Sequence, residues 1–307
     1  LFVVSRNRLD GPPPPISRHR MVDPPQVSEE EIAAVRAAWR DRLEAILAWC
    51  DRIGCRALVV LIPSNEADLE PSRSILPETV GAMDRAWVES AMSTAGASDA
   101  GSAERIYRSI VGRYPGFAEA HFRLGRTLLE RGDVEAANRA FVAARDADGL
   151  ITRCRTGFLE DAREVAARHP SALVVDGPAV LRAESPRGVV GDDTIMDMHH
   201  PSLVGMTALA RACLEEIGRA KAFGSVLQEM TRFDSADVAR RFGLDPAAWA
   251  LACDRTRVHY ERIARYRYDP SARLARAAEF GAAAKALRSG EVADPDQLGV
   301  VGLGTRP

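Results

Sequence analysis

Apolar residues at Ile32, Val35, Ala38, Trp39, Leu43, Ile46, Leu47 and Cys50 recur at the three-to-four-residue spacing of one helix face. Ser28-Glu29-Glu30-Glu31 precedes them, with a serine able to cap the first turn and a glutamate three residues on, a capping box. The pattern predicts a long amphipathic helix ending near Ile53, with Gly54 as its stop. The spacing then changes. Ala57 to Ile62 is an unbroken apolar run closed by Pro63-Ser64-Asn65. Ala172 to Asp176 is a second, preceded by a helical pattern from Leu159 to His169 and closed by Gly177-Pro178. Strands covered on both faces by helices read as such runs, so the two predict buried strands of a doubly wound parallel α/β sheet. Two strands make no stable sheet by themselves, so the expected sheet is incomplete within these residues. Beyond Ile217 the periodicity predicts helices over Ala236 to Phe242, Pro246 to Tyr268 and Ala272 to Leu287, and Glu291 to Pro307 is expected to be a poorly ordered polar tail. At the other end Gly11-Pro12-Pro13-Pro14-Pro15, with Pro24 and Pro25, predicts a loop or linker over residues 1–27, because prolines lack backbone donors.

Between the two strands the character is different. Ala103, Tyr107, Ile110 and Pro115, then Ala118, Leu124, Gly125, Leu128, Gly132, Ala137, Phe141 and Ala144, fall in one register. This register resembles the tetratricopeptide repeat, half a unit followed by one whole unit. The resemblance implies a helical insertion over residues 99–149 that leans on its host domain, and a protein or peptide partner held between its helices.

Composition narrows the classes of function. Hydrophobic residues make up 46% of 307, enough to fill a core. A net charge of -2, from 41 basic and 43 acidic residues, leaves no long-range field of either sign, so neither nucleic acid nor an anionic membrane is indicated as partner. No run reaches the roughly 18 to 20 apolar residues that cross a bilayer. Five cysteines (Cys50, Cys55, Cys154, Cys213 and Cys253) are odd in number, scattered, and lack C-x-x-C or zinc spacing. They read as thiols in a reducing compartment, which favours the cytoplasm. Leu1-Phe2-Val3-Val4 has neither a charged lead nor a cleavage site, so a start internal to a longer protein is expected.

The residues best suited to chemistry lie in Gly191-Asp192-Asp193-Thr194-Ile195-Met196-Asp197-Met198-His199-His200-Pro201-Ser202-Leu203. Asp197 and His200 stand three positions apart where a helix begins, with Pro201 expected at its first position. A carboxylate so placed accepts one ring N–H, fixes the tautomer and leaves the other nitrogen as a general base. The same spacing also suits a plain helix N-terminus with an aspartate near its dipole. Asp192, Asp193, Asp197, His199 and His200 are all potential metal donors, but no H-E-x-x-H or comparable spacing supports them, so no metal or other cofactor is assigned. As a nucleophile, Ser98 in Gly96-Ala97-Ser98-Asp99-Ala100-Gly101 lacks the preceding apolar strand of a nucleophile elbow, and the stretch reads as a flexible connection. Arg255, Arg257, Arg262, Arg265 and Arg267, with Tyr260, Tyr266 and Tyr268 among them, read as a solvated helix face.

Helix, Leu58 to Pro63 with Ser64-Asn65, an inserted repeat ending at Gly149, Val174-Val175-Asp176 and then the D-x-x-H-P block with Gly205 after it, taken in that order, resemble the carboxy-terminal half of an SGNH (GDSL-type) hydrolase. The resemblance implies a three-layer α/β/α SGNH-hydrolase-like domain with an incomplete parallel sheet, over residues 28–98 and 150–218. The repeat at 99–149 would interrupt it and a helical extension at 219–307 would follow. It also implies an ester hydrolase or acyl transferase acting on a small-molecule ester. Asp197 would orient the imidazole and His200 would take the proton of a serine, while His199 falls on a position the motif leaves free. The family's glycine-aspartate-serine turn, second-block glycine and third-block asparagine have no matched counterpart. Asn7 follows Phe2-Val3-Val4 but is flanked by Arg6 and Arg8, which do not fit the asparagine block. The serine is therefore expected upstream of Leu1. Two other readings stay open: a non-catalytic interaction module built on the repeat, and a degenerate hydrolase that keeps a cleft without turnover.

Overall fold

The computed structural model describes residues 28–221, 232–264 and 270–306. The proline-rich linker, Asn7, and the Arg265, Tyr266, Arg267 and Tyr268 end of the expected helix lie outside the described residues. Helix α1 is Glu29–Ile53; Ser28 Oγ accepts from the Glu31 N–H, the Glu31 carboxylate accepts from the Ser28 N–H, and Gly54 ends the helix at φ +68°. Strand β1 (Ala57–Val60) pairs in parallel with β2 (Ala172–Val175), Ala57 opposite Ala172 and Val60 opposite Val175. Because side chains alternate across a strand, Ala57, Val59, Ala172 and Val174 share one face. That face packs on Leu43 and Leu47 of α1 and on Val165 and Ala166 of α6 (Thr156–Ala166). Helix α7 (Gly177–Glu184) follows β2, and α8 (Leu203–Arg219) lies against both strands.

The three-layer α/β/α sandwich implied by the resemblance does not form. The described residues make eleven helices and two strands of four residues each, joined in one two-stranded sheet. Only the two short β-branched runs have strand character, and elsewhere the apolar residues recur at helical spacing. Such surface is buried helix against helix, so a mainly helical protein with a small parallel pair results.

Helices α2 (Ala82–Gly96), α3 (Ala100–Arg113), α4 (Ala118–Glu130) and α5 (Val134–Asp146) pack in succession, each on the next. Their shared core includes Val88, Met92, Tyr107, Ile110, Phe117, Phe122 and Phe141. Gly125 permits the close crossing of α4 and α5, since a Cβ there would stand 2.7 Å from the Phe141 ring. The sequence pattern assigns no element to α2. The Gly96-to-Gly101 stretch, read as a flexible connection, is a tight junction: Asp99 caps α3 by accepting from the Ser102 N–H.

Helices α9 (Ser235–Arg241), α10 (Pro246–Ala264) and α11 (Ser271–Ser289) follow, with α10 and α11 forming a hairpin. Its core contains Trp249, Cys253, Tyr260, Phe280 and Leu287. Tyr260 is fully buried, so part of the supposedly solvated helix face is core. The supposedly loose tail folds back: Leu298, Val300 and Leu303 join the hairpin core, and the Thr305 N–H and hydroxyl donate to Asp296. Its apolar residues are too few and too irregular to show a period. No helix among the described residues is long and apolar enough to cross a membrane.

The segment after β1, residues 63–73, runs between these groups of helices and binds them through buried polar contacts. Arg153 donates to the carbonyls of Asn65 (3.0 Å) and Leu69 (2.7 Å), Asp148 accepts from the N–H groups of Ser72 and Arg73, and Arg145 pairs with Glu66. Glu66, Arg145, Asp148 and Arg153 are each under 5% exposed. Charges at that depth are tolerable only when paired and hydrogen-bonded, so the segment has little freedom to move.

Candidate active site

The loop between α7 and α8 folds into a small closed turn. The Ser202 N–H donates to Thr194 O, and the Met196 N–H donates to His200 O at 2.9 Å, which leaves Asp197-Met198-His199 at the tip. Asp197 closes that tip through one oxygen and orients a ring through the other. Its Oδ1 accepts the N–H groups of His199 (3.0 Å) and His200 (2.8 Å), and its Oδ2 lies 2.7 Å from His200 Nδ1. The His200 side chain is 70% exposed, so its Nε2 edge opens to solvent, while the Asp197 side chain is 15% exposed. Burial raises the Asp197 pKa, but the N–H groups of His200 and His199 and the His200 ring outweigh it and hold the carboxyl below its ordinary range. The neighbouring His199 ring, 4.3 Å from that of His200, is kept below the ordinary imidazole value by burial and then by His200.

Pro201 stands outside the helix rather than at its first position: Ser202 caps α8, accepting from the Gly205 N–H and donating to Asp193 O. Gly205 has a definite steric role. A Cβ at that position would meet Thr194 O at 2.1 Å, so only glycine lets the first turn of α8 lie against the dyad-bearing loop.

Three residues that the sequence pattern does not single out hold this loop from beneath. The Asn65 N–H donates to Met198 O (3.0 Å), and Asn65 Nδ2 donates to Asp192 Oδ1 (2.7 Å) and Ile195 O (3.1 Å). The Tyr260 hydroxyl lies 2.8 Å from Met196 O and 3.1 Å from Asp192 Oδ1, and Arg276 Nε donates to Asp192 Oδ2 at 3.1 Å. Burial and then the nearby Asp68 charge push the Asp192 carboxyl up to about 6, against Arg273, Arg276 and Asn65. Asn65 had one signal in the sequence, its place shortly past the carboxyl end of the parallel strand β1, where ligand sites of α/β sheets lie. Tyr260 stood out only as one of the aromatics on a helix face read as solvated, and Arg276 had no signal, since a buried and a solvated arginine are the same letter in a helical pattern.

The loop's other donors are engaged elsewhere. Asp193 accepts the Ser185 hydroxyl, and among the described residues no group of three or more His, Cys, Asp or Glu is arranged to hold a metal ion. The nearby hydroxyls are buried: Ser64 Oγ accepts the Cys154 N–H, Ser202 is the helix cap, and each is at most 2% exposed. Ser98 donates to Thr94 O at the end of α2. The structure thus brings Asp197 and His200 together and brings no serine of the described residues into hydrogen bonding with the His200 ring. Comparison with protein-family models, curated proteins and solved structures gave no match.

Proposed function

We propose that Asp197 and His200 are the acid–base pair of a serine ester hydrolase or acyl transferase acting on a small-molecule ester, with the serine supplied from outside the described residues. The observation that carries this reading is the 2.7 Å contact between Asp197 Oδ2 and His200 Nδ1, with the ring itself 70% exposed. The resemblance of Asp197-x-x-His200-Pro201 to the acid–base block of SGNH-type hydrolases supports it.

His200 Nε2 takes the serine proton as the oxygen attacks the ester carbonyl, and the resulting imidazolium is stabilised by Asp197 across Nδ1–H. The same Nε2–H then returns its proton to the departing alkoxide as the acyl-serine forms. Water, or in a transferase a second alcohol, repeats the cycle in reverse with His200 as base. Asp197 remains the anion throughout, in keeping with its lowered pKa.

The test is hydrolysis of p-nitrophenyl acetate and butyrate by the protein extended upstream of Leu1. Replacing His200 by Ala is expected to lower kcat by about 10⁶-fold, the scale on which a triad loses activity without its base. Equal rates from the two proteins remove His200 from the mechanism, and an inert extended protein removes the enzymatic reading.

A further inference from the structure

We infer that Tyr260 and Arg276, on the C-terminal helical hairpin, are positioning residues for the Asp197–His200 pair, anchoring from outside the α7–α8 connection the loop that carries both. The inference rests on the acid–base reading given above.

Tyr260 is on α10 and wholly buried, its ring stacked on Phe280 at 5.8 Å with 20° between planes, and the Arg273 guanidinium lies over it at 5.3 Å. A ring so confined presents its hydroxyl at one place. Its single proton serves Met196 O, one residue before Asp197, and Asp192 Oδ1 at the start of the turn. Arg276 on α11 takes the other Asp192 oxygen and also donates to Val301 O, so the tail, the hairpin and the loop are joined at one carboxylate. The tip has its own internal bonds through Asp197, but these fix only its shape. The base of the loop is held by Asp68 on the Asp192 N–H and by Ser185 and Ser202 on Asp193. The stretch next to Asp197 is held instead by Asn65 on Met198 O and Ile195 O and by the Tyr260 hydroxyl on the partly buried Met196 O, which loses that donor when the hydroxyl is removed. A base must be held within a fraction of an ångström and some 10–20° of its working geometry, so anchoring of this kind governs its efficiency.

The experiment uses the 307-residue chain, labelled with ¹⁵N, and reads the ring nitrogens of His200, assigned by the signal lost in His200→Gln. Wild type is expected to show one tautomer, Nδ1 protonated and Nε2 bare. In Tyr260→Phe, which keeps the ring and removes the hydroxyl, the two nitrogen shifts are expected to move toward each other as the ring samples other orientations. Arg276→Gln should do the same and serves should Tyr260→Phe fail to fold. Leu287→Ala is the control: it loosens the hairpin core at a residue 3% exposed that carries no hydrogen bond to the loop and no ring contact with Tyr260, and should lower Tm while leaving the His200 shifts in place. Unchanged shifts in the folded anchor variant overturn the inference, as does an equal movement in Leu287→Ala. A wild-type ring already averaged between tautomers defeats the acid–base reading itself, a result distinct from either.

Discussion

The side-chain amide of Asn65 donates to Asp192 Oδ1 across 2.7 Å, joining the segment after β1 to the loop that bears Asp197 and His200. Asn65 is 0% and Asp192 7% exposed, and the same amide also serves Ile195 O. Asn65→Ala leaves a buried carboxylate and a buried carbonyl short of a donor. A loss of about 1–3 kcal/mol in urea unfolding at neutral pH is expected. A change within about 0.5 kcal/mol, the range of ordinary surface substitutions, would show that the contact carries no weight.

At Gly205 the prediction is steric. An alanine Cβ would stand 2.1 Å from Thr194 O, so α8 must back away from the turn or the turn must deform. Overpacking of this kind costs about 1–3 kcal/mol. Thermal unfolding of Gly205→Ala should therefore occur at lower temperature than that of wild type, and an unaltered Tm would mean that the contact relaxes freely.

The crossing of α4 and α5 allows a paired comparison. Gly125→Ala drives a methyl into the Phe141 ring, whereas a Cβ at Gly112, within α3, meets nothing within 4 Å. The first substitution is expected to destabilise by about 1–3 kcal/mol, and the second, in the last turn of α3, to stabilise by no more than about 0.5 kcal/mol, the low end of the mid-helix gain of alanine over glycine. Effects of the same sign in denaturant unfolding would contradict the packing described.

His169 links the end of α1 to the turn before β2, its Nδ1 2.6 Å from Asp51 and its Nε2 2.9 Å from Glu44. The hydrogen bond to Asp51 raises its pKa, burial opposes this, and Glu44 adds to the rise. A raised histidine contributes stability that is fully present below its ordinary value of 6.5 and disappears as pH climbs through the folded value. Asp51, lowered by Ser171 and His169, and Glu44, lowered by Arg168 and His169, work in the opposite sense, their share being lost as pH falls through their folded values. Their combined contribution is greatest between about pH 4.5 and 6.5. Unfolding measured from pH 5 to 9 should decline on the alkaline side in wild type and lose that part of the decline in His169→Gln. Parallel curves would dismiss the linkage.

What the sequence made legible was local. Ser28 with Glu31, Gly54 and the three-residue spacing of Asp197 and His200 each act through neighbours in the chain, and each has a direct counterpart in the structure. The two apolar runs, by contrast, form strands of only four residues that are not covered on both faces, with Val60 and Ile62 exposed. What remained hidden was long-range. The size of the sheet depends on how many strands find partners, and two short runs beside many helical ones could not complete three layers. The burial of Tyr260, Arg273 and Arg276 depends on Glu70 and Asp192, far away in sequence, and leaves no period to read. Asn65 looked like the turn residue after Pro63-Ser64, although its side chain supports the loop of the candidate site.

The most direct test of the central claim, that Asp197 fixes the His200 ring with its outer nitrogen bare, is the ¹⁵N spectrum of that imidazole at alkaline pH in wild type and in Asp197→Ala. Wild type should display one proton-bearing Nδ1 and one unprotonated Nε2, and Asp197→Ala should bring the two shifts together. A wild-type ring that already exchanges between tautomers, or one whose spectrum is the same without the Asp197 carboxylate, would contradict the account.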